Sequence, residues 1–401
     1  MLSNKKQMRI GVDATCWQNM RGYGRYARSL LTALVRLDKD NQYTFFIDSD
    51  ENIDTFPPEA KAHLVRASAP TTLAASSDGH RSARDMWRMS REMSRARLDL
   101  LLFPTMYSYL PVFSRAKKIV IIQDIIAETY PRLTLPGRRA RLFWKVKVAL
   151  GRWQADAVAT ISEYSRQGIM QRFNLSGDRV SIVSAASDAV FHVIEGAKLS
   201  KALHSLGLRS DQRFVVYVGG FNPHKNLEAL VGAFAKLAAQ DDFSDLRLVL
   251  VGETKREVFH SYLETVRSEV ERLGIADRAV FTGYLPDEEL AELLNVSAVL
   301  VQPSLIEGFG LPAIEAAACG CPVIATSASP LPGLLGEGGI YFDPHQPDDL
   351  TEALERVLSS EELRSRMRVH GIAAARRLTW EAASRQLADL MESVMAEPSR
   401  V

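Results

Sequence analysis

Two glutamates, Glu307 and Glu315, flank a glycine loop in the string PSLIEGFGLPAIEAAACGCPVIAT, Pro303–Thr326. A carboxylate placed there can accept hydrogen bonds from vicinal hydroxyls, as on a ribose. Gly308 and Gly310 let the backbone approach a ligand closely. Pro312 suits the first residue of a helix, where its missing N–H costs nothing, and Gly320 suits the helix end. The pattern predicts a strand over Ala298–Gln302, a loop, a helix from Pro312 to about Cys319 with Glu315 in its first turn, and a strand over Pro322–Ala325. A helix that opens outside the carboxyl end of a parallel strand offers free N–H groups and a positive dipole end to a phosphate. Alone, an acid in the first turn is most simply a dipole partner. The constellation as a whole favours a ligand site.

The elements that must hold this loop follow one rhythm. Short apolar runs alternate with helix-length amphipathic segments. In the first half the runs are Met8–Val12, Tyr43–Ile47, Leu98–Phe103, Ile119–Gln123, Ala157–Ile161 and Val180–Val183. In the second they are Phe214–Val218, Leu246–Val251, Ala279–Phe281, Ala298–Gln302 and Pro322–Ala325. Many are continuously apolar, as strands covered on both faces of a parallel sheet are. Over His224–Gln240, the residues Leu227, Leu230, Val231, Phe234 and Leu237 fall on one helical face. The rhythm, twice over, predicts an α/β chain of two doubly wound domains. The polar stretch Phe191–Arg213 marks the seam. The expected division is 1–195, 196–378 and a final helix in 379–401.

The motif string resembles the E-x7-E signature of retaining glycosyltransferases of the GT-B fold, glycosyltransferase family 4. Val215–Phe234 resembles that family's strand, phosphate-binding turn and helix. Leu248–Glu253 and Val280–Leu294 resemble the segments that line its nucleotide base. Ile10–Leu31 resembles its N-terminal strand and glycine loop, and Ile161–Phe173 the helix before its interdomain linker. The resemblance implies two Rossmann-like domains, the N-terminal one for the acceptor and the C-terminal one for the donor. It also implies a last helix that crosses back to the N-terminal domain.

The same resemblance implies roles. Glu315 would hold the donor ribose. Glu307 would contact the donor sugar, helped by the backbone amides of Phe309, Gly310 and Leu311 beside Gly308. Lys225 would neutralise the departing diphosphate, with Gly220, His224, Gly252, Tyr284 and Leu285 around the nucleotide. Gly22, Tyr23, Gly24 and Arg25 would form a loop near phosphates and acceptor. Gln123 and Asp124 would stand at the acceptor side of the reaction. The donor would be a nucleoside diphosphate hexose of GDP or UDP type, with no resident cofactor and no metal. Two positions depart from the pattern. Gly220 stands where the family usually has an arginine, so His224 or Arg25 would have to supply the second positive charge. Gln123 stands where a histidine is frequent, and a glutamine cannot carry a proton. The leaving phosphate would then take the acceptor proton. The residues leave two alternatives open: a sugar-nucleotide epimerase on the same fold, or a catalytically degenerate nucleotide- or glycan-binding homologue.

Other signals are weaker. Asp48-Ser49-Asp50 spells a D-x-D metal string but reads better as a solvated loop. Arg21–Arg25 lacks the third glycine of a dinucleotide fingerprint. Cys16, Cys319 and Cys321 make neither a disulfide framework nor a zinc set, and fit a reducing compartment. The first residues hold no apolar h-region, which argues against a signal peptide.

Charge divides the chain of 401 residues. Residues 1–200 hold 30 Lys and Arg against 19 Asp and Glu, or +11; residues 201–401 hold 19 against 29, or −10. Arg84, Arg88, Arg91 and Arg95 share one helix face, with Met86, Met89 and Met93 opposite. A second helix from about Pro136 puts Arg138, Arg141, Lys145 and Arg152 on one stripe. It puts Phe143, Val146, Leu150 and Trp153 mostly on another, so the helix reads either as a solvated basic face over an ordinary core or as a surface that docks on anionic lipid. The expected partners are the donor, a saccharide acceptor on a lipid carrier, and an anionic membrane surface for the basic helices. No stacking platform points to nucleic acid. The expected location is the cytoplasm, peripheral to the inner face of the cytoplasmic membrane.

Overall fold

The computed structural model describes residues 7–19, 22–51, 53–68, 82–135, 137–254, 262–346 and 348–398. The first residues of the leader argument and Arg21 lie outside these. The chain divides into two units. The first comprises Met1–Ile125, Leu135–Ala185 and Trp380–Val401; the second comprises Ile126–Thr134 and Ala186–Thr379. The division falls at Ala185–Ala186 rather than at 195, and the short segment Ile126–Thr134 groups with the second unit.

The first unit holds seven strands: β1 (Arg9–Asp13), β2 (Gln42–Ile47), β3 (Lys61–Leu64), β4 (Leu100–Phe103), β5 (Lys117–Ile121), β6 (Ala157–Thr160) and β7 (Val180–Ile182). They form one parallel sheet in the order β3-β2-β1-β4-β5-β6-β7. Among the helices on its faces are α1 (Gly22–Leu37), α2 (Ala83–Arg95) and α3 (Arg138–Gln154). β4 reads LLLF and is buried throughout, because both faces of a parallel sheet are covered.

The second unit holds β8 (Arg213–Val218), β9 (Leu246–Val251), β10 (Ala279–Gly283), β11 (Val299–Gln302), β12 (Val323–Thr326) and β13 (Gly339–Phe342). They form a parallel sheet in the order β10-β9-β8-β11-β12-β13. Helices α4 (Leu227–Ala238) and α5 (Leu311–Ala318) follow β8 and β11. On α4, Leu227, Leu230, Val231, Phe234 and Leu237 are all buried, as their spacing predicts. Phe234 alone contributes about 2 kcal/mol of burial.

The last helix, α6 (Trp380–Ala396), belongs to the first unit and packs on α1. The Trp380 ring lies 5.9 Å from that of Tyr26, and the Gln386 side chain accepts from the Ser184 N–H at 2.9 Å. The GT-B architecture, with its returning C-terminal helix, is thus present.

Three expectations change. The helix predicted from His224 begins at Leu227, because Asn226 takes a left-handed conformation (φ +55°) and separates a short turn, Pro223–Lys225, from α4. Asparagine tolerates that region where most side chains do not. Glu315 is the fifth residue of α5, one turn in, so its dipole role weakens. Of the apolar stripe of α3, Phe143, Val146 and Trp153 face outward, while Leu150 packs against the core. The inner face also holds Trp144, Val148 and Gly151, where a Cβ on Gly151 would meet Met106 at 2.6 Å. Gly151 lets this face approach Met106 closely.

Candidate active site

In the second unit the strand order reverses at β8 and β11. From β8 the sheet grows to β9 and β10 on one side and to β11, β12 and β13 on the other. Ligands of open α/β sheets bind outside the carboxyl ends of the strands at such a switch point. The loops after these two strands carry Lys225 and Glu307.

Local structure brings the loops together. Pro223 starts the turn with a preset φ, and the left-handed Asn226 ends it. The Asn226 side chain donates to the Pro303 carbonyl at 3.1 Å, and the Leu305 N–H donates to the His224 carbonyl at 2.9 Å. Both bonds tie the β8 loop to the β11 loop. They deliver Lys225 Nζ to 2.8 Å from Glu307 Oε2.

Glu307 is buried and held from three sides. Besides Lys225, its Oε2 accepts from Ser304 Oγ at 3.0 Å and Gln302 Nε2 at 3.2 Å. Burial pushes the carboxyl up, but the Lys225 ammonium, in charge and hydrogen bond, outweighs it. Glu307 therefore lies below the usual carboxylate range. Beside the pair, burial and the Lys225 charge pull His224 down to about 4, against a smaller upward pull from Glu307. At neutral pH His224 is neutral and does not supply the second positive charge. Two solvent-shielded atoms here have no hydrogen-bond partner, His224 Nδ1 and Gln302 Oε1. Shielded polar atoms without partners are rare unless function requires them.

The glycine loop follows. Gly308, Phe309 and Gly310 are buried and lead into Leu311 at the start of α5. Gly310 has φ +82°, and a Cβ there would meet the Leu331 side chain at 2.8 Å, so only glycine fits. Its carbonyl accepts from Ala313 N–H at 2.9 Å and closes the first turn. Glu315 is buried on the same helix. The helix ends in a Schellman pair, with Cys321 N–H donating to Ala316 and Gly320 N–H to Ala317. Gly220 and Gly252 follow β8 and β9, and the Gly220 carbonyl accepts from Tyr217 OH at 2.7 Å. After β10, Tyr284 is exposed and Leu285 buried.

The remaining expected residues belong to the first unit. Gln123 and Asp124 follow β5. Gln123 is buried, accepts from Thr105 Oγ1 at 3.4 Å, and offers its carbonyl to Thr160 Oγ1 at 3.1 Å. Gly22, Tyr23, Gly24 and Arg25 form the first turn of α1, not a loop. Gly24 is required because a Cβ would lie 2.0 Å from the Asn19 carbonyl oxygen. The Tyr23 ring stacks on Tyr107 at 4.9 Å.

Three residues escaped the sequence reading. Gln302 and Ser304 hold Glu307, and Asp13 ends β1, buried, accepting from Thr15 Oγ1 at 2.7 Å and Thr15 N–H at 3.2 Å. Gln302 and Asp13 share a signal: each is a polar residue closing an otherwise apolar strand. Among the described residues no group of three or more His, Cys, Asp or Glu gathers in a way that could hold a metal ion, and Asp50 pairs with Arg66 at 3.7 Å.

Residues 201–374 match the family described as Glycosyl transferases group 1. The serotype-specific mannosyltransferase WbdA of Escherichia coli is 29% identical over 266 residues, 66% of this chain and 32% of that protein. The chain thus spans about a third of that curated relative. Sucrose-phosphate synthase of Thermosynechococcus elongatus superposes with a TM-score of 0.76 at 20% identity, covering 98% of this chain and 100% of that one. Anabaena Alr3699/HepE in complex with UDP-glucose superposes with a TM-score of 0.74 at 18% identity, covering 96% and 100%. The segment 201–374, which carries Lys225, Glu307 and Glu315, is thus similar to the glycosyl transferases group 1 family, and the chain has the GT-B fold.

Proposed function

We propose that the protein is a retaining hexosyltransferase. It moves a hexose of mannose or glucose type from a nucleoside diphosphate sugar, GDP or UDP, to a saccharide hydroxyl on a lipid-linked or surface polysaccharide intermediate. The observation that carries this reading is the shielded Lys225–Glu307 pair at the switch point, bordered by polar atoms without partners. The similarity to a mannosyltransferase and to a protein solved with UDP-glucose supports the donor class.

In this reading Lys225 exchanges Glu307 for the donor diphosphate. The N–H groups at the start of α5 add to the charge clamp, so the diphosphate leaves without a metal. Glu307, freed and ionised, accepts hydrogen bonds from the hexose hydroxyls, and Glu315 accepts from the ribose. The anomeric carbon loses its bond to the β-phosphate oxygen and gains one to the acceptor oxygen on the same face. The acceptor proton passes to the departing phosphate. In this reading the enzyme works in the cytoplasm, a compartment that three buried thiols outside any disulfide suit.

The test is transfer from GDP- and UDP-hexoses to saccharide acceptors, with the anomeric configuration of the product read by NMR. The reading requires an α-linked product from an α-donor and its loss in Glu307→Ala. Full transfer by Glu307→Ala, or an inverted product, would overturn it.

A further inference from the structure

One short segment follows β5 in the chain but belongs to the unit that holds Lys225. Ile126–Thr134 groups with the second unit, although β5 before it and α3 after it belong to the first. It forms two short helical turns, Ile126–Thr129 and Pro131–Thr134. The Tyr130 N–H donates to the Ile126 carbonyl at 2.8 Å and ends the first turn. Pro131 opens the second with a preset φ. The Tyr130 carbonyl then accepts from the Leu133 and Thr134 N–H groups, each at 3.1 Å, and from Thr134 Oγ1 at 2.9 Å. Three donors on one carbonyl hold the second turn in shape.

This second turn packs on the turn Pro223–Lys225, with Cα atoms of the two within 8 Å. Arg132 stands in it and is exposed. Elsewhere in the second unit Arg209, Arg213, Lys236, Arg267, Arg272 and Arg364 each pair with a carboxylate. The Arg132 side chain has no ion pair or hydrogen bond among the described residues. It is a cation without a counter-ion beside the turn that carries Lys225.

The charges around Lys225 do not balance once a donor is bound. As the site stands, Lys225 and Glu307 cancel, and His224 is uncharged at neutral pH. A sugar nucleotide brings one negative charge on each of its phosphates. It would displace Glu307 from Lys225, leaving one ammonium against both phosphates and the released carboxylate. A shielded site holds such an excess only at a high cost in solvation. Gly220, just after β8, has no side chain to offset it.

We propose that Arg132 is the second cation of the donor site and binds the diphosphate beside Lys225. The inference rests on the transfer reading. A guanidinium suits the task, because its planar fork meets two phosphate oxygens at once and keeps its charge at any working pH. The arginine side chain is long enough to span the gap between the two packed turns. Arg132 also breaks no ion pair when the donor arrives, whereas Lys225 must leave Glu307.

The test is isothermal titration of the full chain with GDP, UDP, GMP and UMP in the presence of EDTA. The wild type is expected to bind one nucleoside diphosphate well above its monophosphate. Arg132→Gln is expected to weaken the diphosphate about tenfold, to change the monophosphate less than about threefold, and to keep the wild-type melting temperature. Arg132→Lys keeps the charge and is expected to recover part of the loss. Wild-type diphosphate affinity in Arg132→Gln, while Lys225→Ala weakens it, would overturn the inference and leave the donor site standing. So would an equal loss for monophosphate and diphosphate, since Arg132 would then act on the turn rather than on the phosphates. No binding of any nucleotide by the wild type would overturn the transfer reading and the inference together.

Discussion

Lys225 Nζ and Glu307 Oε2 stand 2.8 Å apart, although 82 residues separate them in the chain. The contact exists because β8 and β11 are neighbours and their loops are stitched by Asn226 and Leu305. Glu307 is buried and Lys225 is mostly so, which makes the pair energetically asymmetric. Removing one partner strands the other charge, while removing both strands neither. Lys225→Met is therefore expected to destabilise the fold by about 3 kcal/mol. Lys225→Met/Glu307→Gln is expected to recover much of that loss. Denaturant titration of the single and double variants checks this, and simple additivity would refute it.

Gln302 and Ser304 act through Glu307. Each donates to Oε2 and helps keep the carboxyl ionised. Gln302→Leu or Ser304→Ala removes one donor to a charged acceptor. Each is expected to lower kcat about tenfold with little change in donor KM. The acid limb of the pH–rate profile should move to higher pH, because the carboxyl then ionises less readily. A loss without that movement would assign both residues a purely structural role.

His224 gives the fold a pH dependence. Its pKa is about 4 in the folded chain against an ordinary value of 6.5, so the unfolded chain binds more protons between those values. Stability is complete above 6.5 and falls as pH drops toward 4, by up to about 3 kcal/mol. His224→Gln should flatten this slope in melting curves recorded from pH 7 to pH 4. An unchanged slope would show that His224 is not the group responsible.

Gly310 combines a φ of +82° with the Leu331 side chain where a Cβ would sit. Gly310→Ala is expected to cost about 2 kcal/mol through backbone strain and to weaken donor binding by displacing the start of α5. Thermal melting and nucleotide titration measure the two effects separately. A variant as stable as the wild type would contradict the strain argument.

Most of the fold was legible because parallel strands buried on both faces leave continuous apolar runs. The two strands missed are at the sheet edges. β3 reads KAHL and is largely exposed, and β13 reads GIYF and is only partly buried. Neither needs an apolar run, because an edge strand packs on one neighbour only. The site was legible at Glu307 and Glu315 because glycines and a proline punctuate the loop around them. Lys225 rested on family likeness, since Asn226 breaks the helix that the apolar spacing predicted. Gln302, Ser304 and Asp13 were not legible as partners, because their role depends on which strands become neighbours. The outward turn of Phe143 and Trp153 was hidden for another reason. Spacing reports that residues share a face, and which face is buried depends on the neighbours it meets, here the close approach of Gly151 to Met106 and the packing of Trp144, Val148 and Leu150.

The central claim is that the loops after β8 and β11 bind a nucleoside diphosphate sugar through Lys225, Glu307 and Glu315. The most direct measurement is the melting temperature of the wild type, Lys225→Ala and Glu315→Ala with GDP, UDP and their hexose conjugates, in the presence of EDTA. A ligand that binds only the folded chain stabilises it in proportion to ln(1 + [L]/Kd). The account predicts that one nucleoside diphosphate raises the wild-type melting temperature and that both substitutions abolish the rise. No rise with any nucleotide, or an equal rise in the two variants, would contradict it.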